Sequence, residues 1–471
     1  MRIRFWGTRG SIATPGPSVL RYGGNTSCVE VRADDGTLIV LDCGTGARGL
    51  GAALLASGER PIRGHLFITH THWDHIQGFP FFAPLFMPGN EWDIYAPATA
   101  GQRLQETLAG QMEYAYFPVT LHELGATIRY HNIGEGELAA GGVRVITQYL
   151  NHPALTIGYR LEVGGVSLVY ATDHEPYLHQ ALALPTEGDQ GVPLPVHHED
   201  RRHVAFLAGA DLVIHDSQYS ADEDAGKIGW GHTSAQQVTD YTMIGGAKRL
   251  ALFHHDPAHD DDGIDQLVAA CRERARIRAR ASGRAVPDVF GATEGASFEL
   301  AERAGATRLP ATPSVWRHTD GTAAPEIVVV ADDDPNTLSL VSSALRSEGL
   351  HVRTVRSVTE ALRLAQEIHP ALLTFGWHLL REDRLDACRA LRAETDPLLR
   401  DLPVLLLAAS KAPEDASEAF AAGATDYLTA PFTAAQVRSR ATHWVLRHRS
   451  GTPVTVPDVA PFRRPREALP T

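Results

Sequence analysis

The feature that most constrains this chain is a group of ionisable residues that follows a short apolar segment. Leu66-Phe-Ile-Thr69 has the composition of a strand and runs into a loop that carries His70, His72, Asp74 and His75. Alternate side chains of an extended segment share one face, so the first two histidines point to the same side. In a chain of 471 residues with 23 histidines, a chance H-x-H-x-D-H is expected on the order of 0.01 times. The loop therefore predicts a site in which imidazole and carboxylate groups hold two metal ions.

Further metal-capable residues stand where other apolar segments end. They are His152 after Val143–Leu150, Asp173 after Val166–Tyr170, Asp216 after Leu212–Ile214, and His254 after Arg249–Phe253. Loops at strand ends are where a rigid sheet commonly carries a ligand site. One histidine after a strand is usually structural, but with the 70–75 loop these residues form a set. The pair Gly164-Gly165 between two alternating segments also predicts a β-hairpin.

A second pattern of strands and amphipathic helices begins at Glu326, after a polar stretch that contains Pro310 and Pro313. This alternation predicts a small α/β domain with a parallel sheet. We therefore expect a first domain over residues 1–300, a linker over 301–324 and a second domain over 325–448. We expect the proline-rich tail over 449–471 to be disordered.

Composition narrows the classes of partner. The net charge of −13 argues against a non-specific grip on nucleic acid or on an anionic membrane, although a local basic pocket stays open. No apolar run reaches the roughly 18 residues that span a bilayer, and the first residues lack the apolar core of a signal peptide. The four cysteines show no paired spacing, which is typical of reduced thiols. We expect a cytoplasmic protein without a membrane partner.

Residues 1 to about 300 resemble the metallo-β-lactamase fold hydrolases, most closely the ribonuclease Z and cyclic-phosphate phosphodiesterase branch. The resemblance implies an α/β fold, a sandwich with an αββα order of layers. The matching motifs are His70-Thr-His72-Trp-Asp74-His75, Asn151-His152-Pro153, Ala171-Thr-Asp173, Gly231-His232-Thr-Ser234, Leu252-Phe-His254, Gly23-Gly-Asn-Thr-Ser27 and Leu41-Asp42-Cys-Gly-Thr-Gly46.

The resemblance also implies roles for these residues. His70, His72 and His152 would hold a first metal, Asp74, His75 and His254 a second, and Asp173 would bridge both. A water or hydroxide between the two metals would be the nucleophile, since two cations lower its pKa and stabilise charge at phosphorus. The donors are all nitrogen or oxygen, which suits two Zn²⁺ ions and leaves Mn²⁺ or Fe open. Asp42 would either hydrogen-bond a ligand histidine or serve only as a turn residue at a strand end.

His232 is the candidate general acid, with Asp216 as the carboxylate that orients it, by resemblance to the Gly-His-Ser-Thr element of the related ribonucleases. The order here is Thr-Ser, which leaves the detailed geometry open. Ser234 and Gln237 predict a capping box, which would place His232 just before a helix N-terminus where a phosphate also binds well. The alternative is that His232 is a structural cap.

Two stretches bear on the substrate. Residues 105–119, with Met112, Tyr114, Tyr116 and Phe117, are either an aromatic lid suited to a small nucleotide or sugar phosphate, or a core helix. The arginine run 272–280 is interpreted as a solvated helix face, with RNA binding as the lesser alternative. The long basic arm that tRNA processing would call for is not found in the sequence.

Residues 326 to about 448 resemble a response-regulator receiver domain, which has a flavodoxin-like parallel sheet. The matching segments are Val330-Ala-Asp332-Asp333-Asp334-Pro335, Pro370 to Gly376, Leu402 to Ala409 and Gly423 to Phe432. The acidic pair is present, but Gly376, Ala408 and Ala430 stand at the phosphoacceptor, hydroxyl and lysine positions. We therefore expect no aspartyl phosphorylation. Asp383 and Asp386 are the alternative acceptors, but they follow the acceptor position by several residues. The domain would instead bind a protein partner or self-associate.

The leading interpretation is a dinuclear metal-dependent phosphodiesterase joined to a receiver-like domain that cannot be phosphorylated. One alternative is a metal-containing protein that senses a nucleotide with little catalysis, and another is a ribonuclease. A small phosphodiester or nucleotide is the expected substrate, and RNA is the lesser expectation. The sequence leaves open the natural substrate, the metal, the oligomeric state and the partner of the second domain.

Overall fold

The computed structural model describes residues 1–97, 104–177, 195, 197–224, 226–301, 303, 326–382, 385–408 and 413–449. Apart from residues 301, 303 and 449, the expected linker and tail lie outside the described residues and stay predictions. The chain divides into two compact units. The first contains residues 1–325, and most of the second lies between residues 326 and 430.

Fourteen strands precede residue 300 in the part of the chain that the structure describes. They are β1 Arg2–Gly7, β2 Cys28–Arg32, β3 Leu38–Leu41, β4 Arg63–Phe67, β5 Glu91–Pro97, β6 Thr127–Ile133, β7 Gly136–Ala140, β8 Val143–Leu150, β9 Thr156–Val163, β10 Val166–Ala171, β11 Leu212–Asp216, β12 Arg249–Phe253, β13 Asp288–Gly291 and β14 Ser297–Glu299. The helices are α1 Gly46–Ala56, α2 Trp73–Ile76, α3 Leu104–Gly110, α4 His198–Leu207, α5 Ala221–Asp224, α6 Ala235–Gly245 and α7 Asp261–Ser282.

These strands form two mixed sheets of seven strands each. The first has the order β14-β1-β2-β3-β4-β5-β6 and the second the order β13-β12-β11-β10-β9-β8-β7. In the second sheet, β10 to β13 run parallel and β7 to β10 are joined as antiparallel neighbours. The hairpin between β9 and β10 turns at Gly164 and Gly165, which both have positive φ as a tight hairpin turn requires. The predicted Gly-Gly hairpin is therefore confirmed.

The two sheets face each other through aromatic side chains, and helices cover their outer faces. Phe5 of β1 lies 6.1 Å from Phe253 of β12, and Phe67 of β4 lies 5.1 Å from Tyr159 of β9, measured between ring centroids. Residues of α1 and α3 belong to the core of the first sheet, and residues of α4, α6 and α7 to the core of the second. The expected αββα sandwich is confirmed.

The arginine run is solvated in part: Arg272, Arg276 and Arg280 are exposed, whereas Arg274 is half-buried and Arg278 is buried. Arg278 is fully buried in α7, and its guanidinium pairs with the buried carboxylate of Asp240 on α6. Arg274 binds the same carboxylate at 2.7 Å, and Arg272 donates to the backbone oxygen of Val289. A buried carboxylate requires a cation, so Arg274 and Arg278 are engaged inside the fold, whereas Arg272, Arg276 and Arg280 lie on the exposed side of the helix.

Residues 105–119 were interpreted either as an aromatic lid or as a core helix, and the structure shows features of both. Leu104, Leu108 and Met112 are buried in the core of the first sheet, as the core-helix alternative predicts. Tyr114 and Tyr116 are largely exposed on the turn that follows α3. No helix among the described residues is long and apolar enough to cross a bilayer.

The second unit contains a five-stranded sheet with the order β16-β15-β17-β18-β19. Its strands are β15 Ile327–Ala331, β16 His351–Val355, β17 Leu372–Gly376, β18 Val404–Ala408 and β19 Asp426–Thr429. The helices after residue 326 are α8 Pro335–Arg346, α9 Val358–Ile368, α10 Trp377–Glu382, α11 Asp386–Ala393, α12 Pro397–Arg400, α13 Pro413–Ala421 and α14 Ala434–Arg449. Numbered within this sheet, the strand order is 2-1-3-4-5, which is the flavodoxin-like order that was expected.

Candidate metal centre

The ends of four strands bring seven metal-capable side chains to one place. His70, His72, Asp74 and His75 lie on the loop and short helix α2 that follow β4, and His152 follows β8. Asp173 follows β10 and His254 follows β12. The structure thus brings together all seven residues that the sequence analysis proposed as metal ligands, in two groups.

The first group consists of His70, His72, His152 and Asp173, whose donor atoms all lie within 4.8 Å of one another. His72 Nδ1 lies 3.0 Å from His152 Nε2. The Nε2 atoms of His70 and His152 each lie 3.6 Å from Asp173 Oδ2. Ligands about 2.0–2.1 Å from a tetrahedral Zn²⁺ lie about 3.3 Å apart, so these spacings suit donors that surround one cation.

The second group consists of Asp74, His75 and His254. Asp74 Oδ2 lies 3.3 Å from His75 Nε2 and 3.1 Å from His254 Nε2. Both histidine nitrogens also lie 3.3 Å from Asp173 Oδ1. Asp173 therefore turns one oxygen to each group, which is the arrangement of a carboxylate that bridges two cations.

Hydrogen bonds at the outer ring nitrogens fix the orientation of three of the histidines. His75 Nδ1 lies 2.8 Å from Asp42 Oδ2, His152 Nδ1 lies 2.9 Å from the Gly231 carbonyl oxygen, and His254 Nδ1 lies 3.1 Å from Gln218 Oε1. A histidine that donates from Nδ1 keeps the Nε2 lone pair free for a metal. Asp42 thus contacts a proposed ligand histidine, the first of the two alternatives left open for it.

Backbone conformation at the cluster is unusual. Asp42, Asp173 and His254 have φ of 58°, 58° and 59°, in the left-handed region that side chains other than glycine rarely adopt. Asp and His are among the residues that tolerate it best, and each such residue costs on the order of 1 kcal/mol. Such conformations persist where the surrounding structure fixes them, and they concentrate at functional sites.

The residues present fit a divalent cation. His70 Nε2 is buried and has no hydrogen-bond partner among the described residues, although it faces the first group. Burial lowers the pKa of His70 and His152 well below the usual value, so both are neutral, the form in which histidine binds a metal. Burial alone would raise the pKa of Asp173, but the surrounding histidines outweigh it and hold that pKa well below its usual range. The first group thus presents neutral imidazoles beside an ionised carboxylate. At His75 burial is outweighed by the carboxylates of Asp74, Asp173 and Asp42, which raise its pKa well above the usual value, so a cation bound there would displace the ring proton.

His232 lies beside this cluster and is held by Asp216. His232 Nδ1 lies 3.0 Å from Asp216 Oδ2, and a ring nitrogen of His232 is within 4.8 Å of donor atoms of Asp173 and His254. Burial lowers the pKa of His232, but the carboxylates of Asp216, Asp173 and Asp74 together outweigh it and raise the pKa to about 9. Asp216 is fully buried and accepts from the backbone nitrogens of residues 174, 218 and 233. The carboxylate is therefore fixed independently of the histidine.

The loop before His232 needs glycine. Gly231 has a φ of 89°, and a Cβ placed there would lie 2.1 Å from His152 Nδ1. The Glu175 carboxylate accepts from the backbone nitrogens of Gly229 at 2.7 Å and Gly231 at 2.6 Å. These bonds hold the loop so that the Gly231 carbonyl oxygen meets His152 Nδ1. They also hold His232 next to the metal-ligand cluster.

The predicted capping box is not formed. α6 begins after Ser234 as expected, but the Ser234 side chain makes no capping hydrogen bond. The Gln237 side chain instead donates to the Tyr241 hydroxyl at 3.0 Å. His232 still precedes α6. The predicted start of the helix is therefore correct, and the predicted hydrogen bonds of Ser234 and Gln237 are wrong.

Sequence reasoning missed four residues that support the cluster. Ser11 donates from its backbone nitrogen to Asp74 Oδ2 at 2.8 Å, and the Tyr170 hydroxyl donates to Asp42 Oδ2 at 2.8 Å. The other two are Gln218 and Glu175, described above. No spacing in the sequence links Ser11 to a loop 60 residues later, whereas Glu175 stands two residues after Asp173, close enough to have been considered.

Comparison with known proteins places both parts of the chain. Residues 37–255 match the family described as Beta-lactamase superfamily domain, and residues 328–442 match Response regulator receiver domain. Ribonuclease BN of Cronobacter sakazakii is 25% identical over 313 residues, which cover 58% of this chain and 94% of that protein. Ribonuclease Z of Myxococcus xanthus is 28% identical over 295 residues, which cover 58% and 92%.

Among solved structures, a metallo-beta-lactamase fold protein from Bacillus subtilis covers 63% of this chain and 98% of its own, with 16% identity and a TM-score of 0.42. The family matches assign the two parts. The chain thus joins a beta-lactamase superfamily domain to a response regulator receiver domain.

Proposed function

We propose that this chain is a dinuclear metal-dependent phosphodiesterase. His70, His72 and His152 hold one cation, Asp74, His75 and His254 hold the other, and Asp173 bridges them. The observation that carries the proposal is that the two oxygens of Asp173 face two separate groups of donors at 3.3–3.6 Å. Nitrogen and oxygen donors without cysteine suit Zn²⁺, and they also accept Mn²⁺ or Fe.

A pair of divalent cations at this site supplies a nucleophile at neutral pH and stabilises negative charge at phosphorus. The chain's own contribution is the placement of a proton beside the reacting centre. His232 has Nδ1 bound to Asp216 and its ring next to Asp173. The Asp216 carboxylate favours the protonated form of His232, and in that form the ring can donate a proton to the leaving oxygen. Asp216 fixes the ring and stabilises its charge.

The relatives named as ribonucleases support phosphodiester chemistry and make RNA cleavage the second candidate. Against it stands the net charge of −13, which opposes a long polyanion. The 272–280 arginines do not offset this opposition, because several of them are engaged inside the fold. A small phosphodiester therefore leads.

We propose that the receiver domain binds a protein partner or a second copy and is not phosphorylated. A Cβ at Gly376 would lie 2.2 Å from Asp332 Oδ2, so the Asp332 carboxylate occupies the space in which an acceptor side chain would stand. Ala430 donates its backbone nitrogen to the Ala408 carbonyl at 2.7 Å, which places the hydroxyl and lysine positions side by side without either group.

The test is hydrolysis of bis-4-nitrophenyl phosphate by protein loaded with Zn²⁺ or Mn²⁺, with bound metal measured by mass spectrometry. His232→Ala is expected to lose about 10²–10⁴-fold in kcat while it keeps both metals. Asp74→Ala should lose activity together with one metal equivalent. His122→Ala removes an exposed histidine of the first unit and should match the wild type. A folded, metal-loaded protein that hydrolyses neither this ester nor RNA would refute the proposal and favour a sensing role.

A further inference from the structure

Beside His232 lies a cluster of one buried ring, one amine and one exposed ring that the proposed chemistry does not use. Tyr219 is buried, and its ring lies edge-on to His232 with centroids 5.8 Å apart. The Lys227 amine lies 5.5 Å from the Tyr219 ring centroid and 4.1 Å from that of Trp230. Trp230 is 59% exposed. We call Tyr219, Lys227 and Trp230 the aromatic rim.

The exposed indole stands on a fixed backbone. Trp230 lies between Gly229 and Gly231, whose nitrogens both bind the Glu175 carboxylate, and its own nitrogen donates to the Lys227 carbonyl at 3.0 Å. Only Gly231 separates it from His232, so the two Cα atoms lie at most about 7.2 Å apart. A large apolar side chain held in water at the edge of a site is suited to contact a ligand.

Lys227 supplies the positive charge of the rim, and the carboxylates of α5 (Asp222, Glu223 and Asp224) precede it in the chain. The chain has only three lysines, of which Lys227 is one. Among the described residues the structure gives its amine no ion pair, and it rests over one face of the Trp230 indole. More than half of the Trp230 surface is exposed, so a flat partner can reach the indole, and the amine next to it favours an anion.

Resting on the proposed phosphodiesterase function, we propose that the aromatic rim selects phosphodiesters that carry a nucleobase. The base stacks on Trp230, and Lys227 holds the indole and faces the adjoining phosphate. Stacking on an aromatic ring accepts any base and adds a large increment per base. A flat heterocycle beside a phosphate anion is the combination that matches an indole beside an ammonium group.

The test uses two esters with the same leaving group, thymidine 5′-(4-nitrophenyl) phosphate and methyl 4-nitrophenyl phosphate. The metal-loaded wild type should prefer the nucleoside ester by at least about 10-fold in kcat/KM. Trp230→Leu should lose about 10-fold on that ester and stay within about 2-fold on the methyl ester, while Trp230→Phe keeps most of the preference. Lys227→Gln should lose part of the preference, and Lys248→Gln, at a lysine paired with Asp211, should lose none. Equal effects of Trp230→Leu on both esters would overturn the inference.

A binding measurement separates this inference from the proposed function. Calorimetry with adenosine 5′-monophosphate and with ribose 5-phosphate reports base recognition whether or not either ester is hydrolysed. Trp230→Leu should weaken only the adenosine compound, by about 10-fold. If the wild type binds both compounds equally, the rim does not read a base. If it binds the adenosine compound through Trp230 yet hydrolyses no ester, the rim stands and the phosphodiesterase proposal falls.

Discussion

Both units gather polar positions at the carboxyl ends of parallel strands, yet only one of them has kept a full set of chemical groups. In the beta-lactamase superfamily domain, the ends of β10, β11 and β12 bring Asp173, Asp216 and His254 to one cluster. In the receiver domain, the ends of β17 and β18 present Gly376 and Ala408. Of the acidic pair Asp332 and Asp333, Asp332 is buried and fills the space in front of Gly376.

The comparison teaches that topology supplies a place and the side chains supply the chemistry. In the first domain several functional groups have a partner that fixes them, as Asp42 does for His75 and Asp216 for His232. In the second domain, burial, the largest effect, raises the pKa of Asp332, and neighbouring carboxylates add to it. A domain of this fold can therefore lose its reaction and keep its sheet.

The strongest test of the complete site is removal of the bridge. Asp173→Ala should abolish hydrolysis, with a loss of at least about 10³-fold, because it removes the one side chain that faces both groups of donors. Metal content should fall below the one equivalent expected for Asp74→Ala, and circular dichroism would show whether the fold persists. Retention of two metal equivalents by a folded Asp173→Ala protein would contradict the bridging role.

The next largest effect is expected from the glycine that contacts His152. Gly231→Ala places a Cβ 2.1 Å from His152 Nδ1 at a φ of 89°, so we expect about 100-fold lower kcat/KM and about 1–3 kcal/mol lower stability. Gly283→Ala is the matched control, because it has a φ of 65° but no atom within 4 Å of the added Cβ. Activity assays and thermal melts of both variants separate backbone strain from displacement of the site. Equal activity in the two would show that the close approach does not matter.

A smaller effect is expected when an orienting group is changed. Asp42→Asn should weaken metal binding by about 10–100-fold, because the amide is a poorer acceptor for the His75 Nδ1 proton. Titration with metal buffers measures the change. Asp211→Asn alters a carboxylate that binds Ser167 and Lys248 and should leave metal affinity unchanged. Similar affinities for Asp42→Asn and the wild type would remove Asp42 from the support of the site.

In the receiver domain the expected effect is none. Acetyl phosphate with Mg²⁺ should give no phosphoryl adduct in the intact mass of the wild type. Gly376→Asp should also give none, because Ala408 and Ala430 still stand at the hydroxyl and lysine positions and the added side chain would have to displace the Asp332 carboxylate. A stable adduct on either protein, measured beside a functional receiver domain as a positive control, would show that the pocket still works.

The bounds of some strands were predicted correctly from the pattern of apolar residues. They were predicted less well where a side chain takes a backbone nitrogen away from the hydrogen bonds of the sheet. β8 and β12 have the expected bounds, Val143–Leu150 and Arg249–Phe253. β4 was expected over 66–69 but spans Arg63–Phe67, because the Thr69 nitrogen leaves the sheet and donates to Asp42 Oδ1 at 2.7 Å. That bond depends on a residue 27 positions away, which local patterning does not reveal.

The proposed ligands could be named from the sequence because their motifs are short and specific. The groups that orient them could not, because Gln218, Tyr170 and Ser11 meet the site only through the fold. The buried Arg278 was misjudged for the same reason. Its partner, Asp240, lies on another helix, and a run of arginines read alone resembles a solvated surface.

The left-handed backbone at Asp42, Asp173 and His254 limits how this site can change. A cysteine or glutamate at any of these positions would have to adopt a conformation that aspartate, asparagine and histidine accept more readily. Exchange of donor atoms is therefore a difficult route to a different metal preference. Substitution of the residues that hydrogen-bond these groups is easier to accommodate. The Tyr170 hydroxyl binds Asp42 and the Gln218 amide binds His254, so changes at these two positions would alter the basicity of Asp42 and His254 without replacing them.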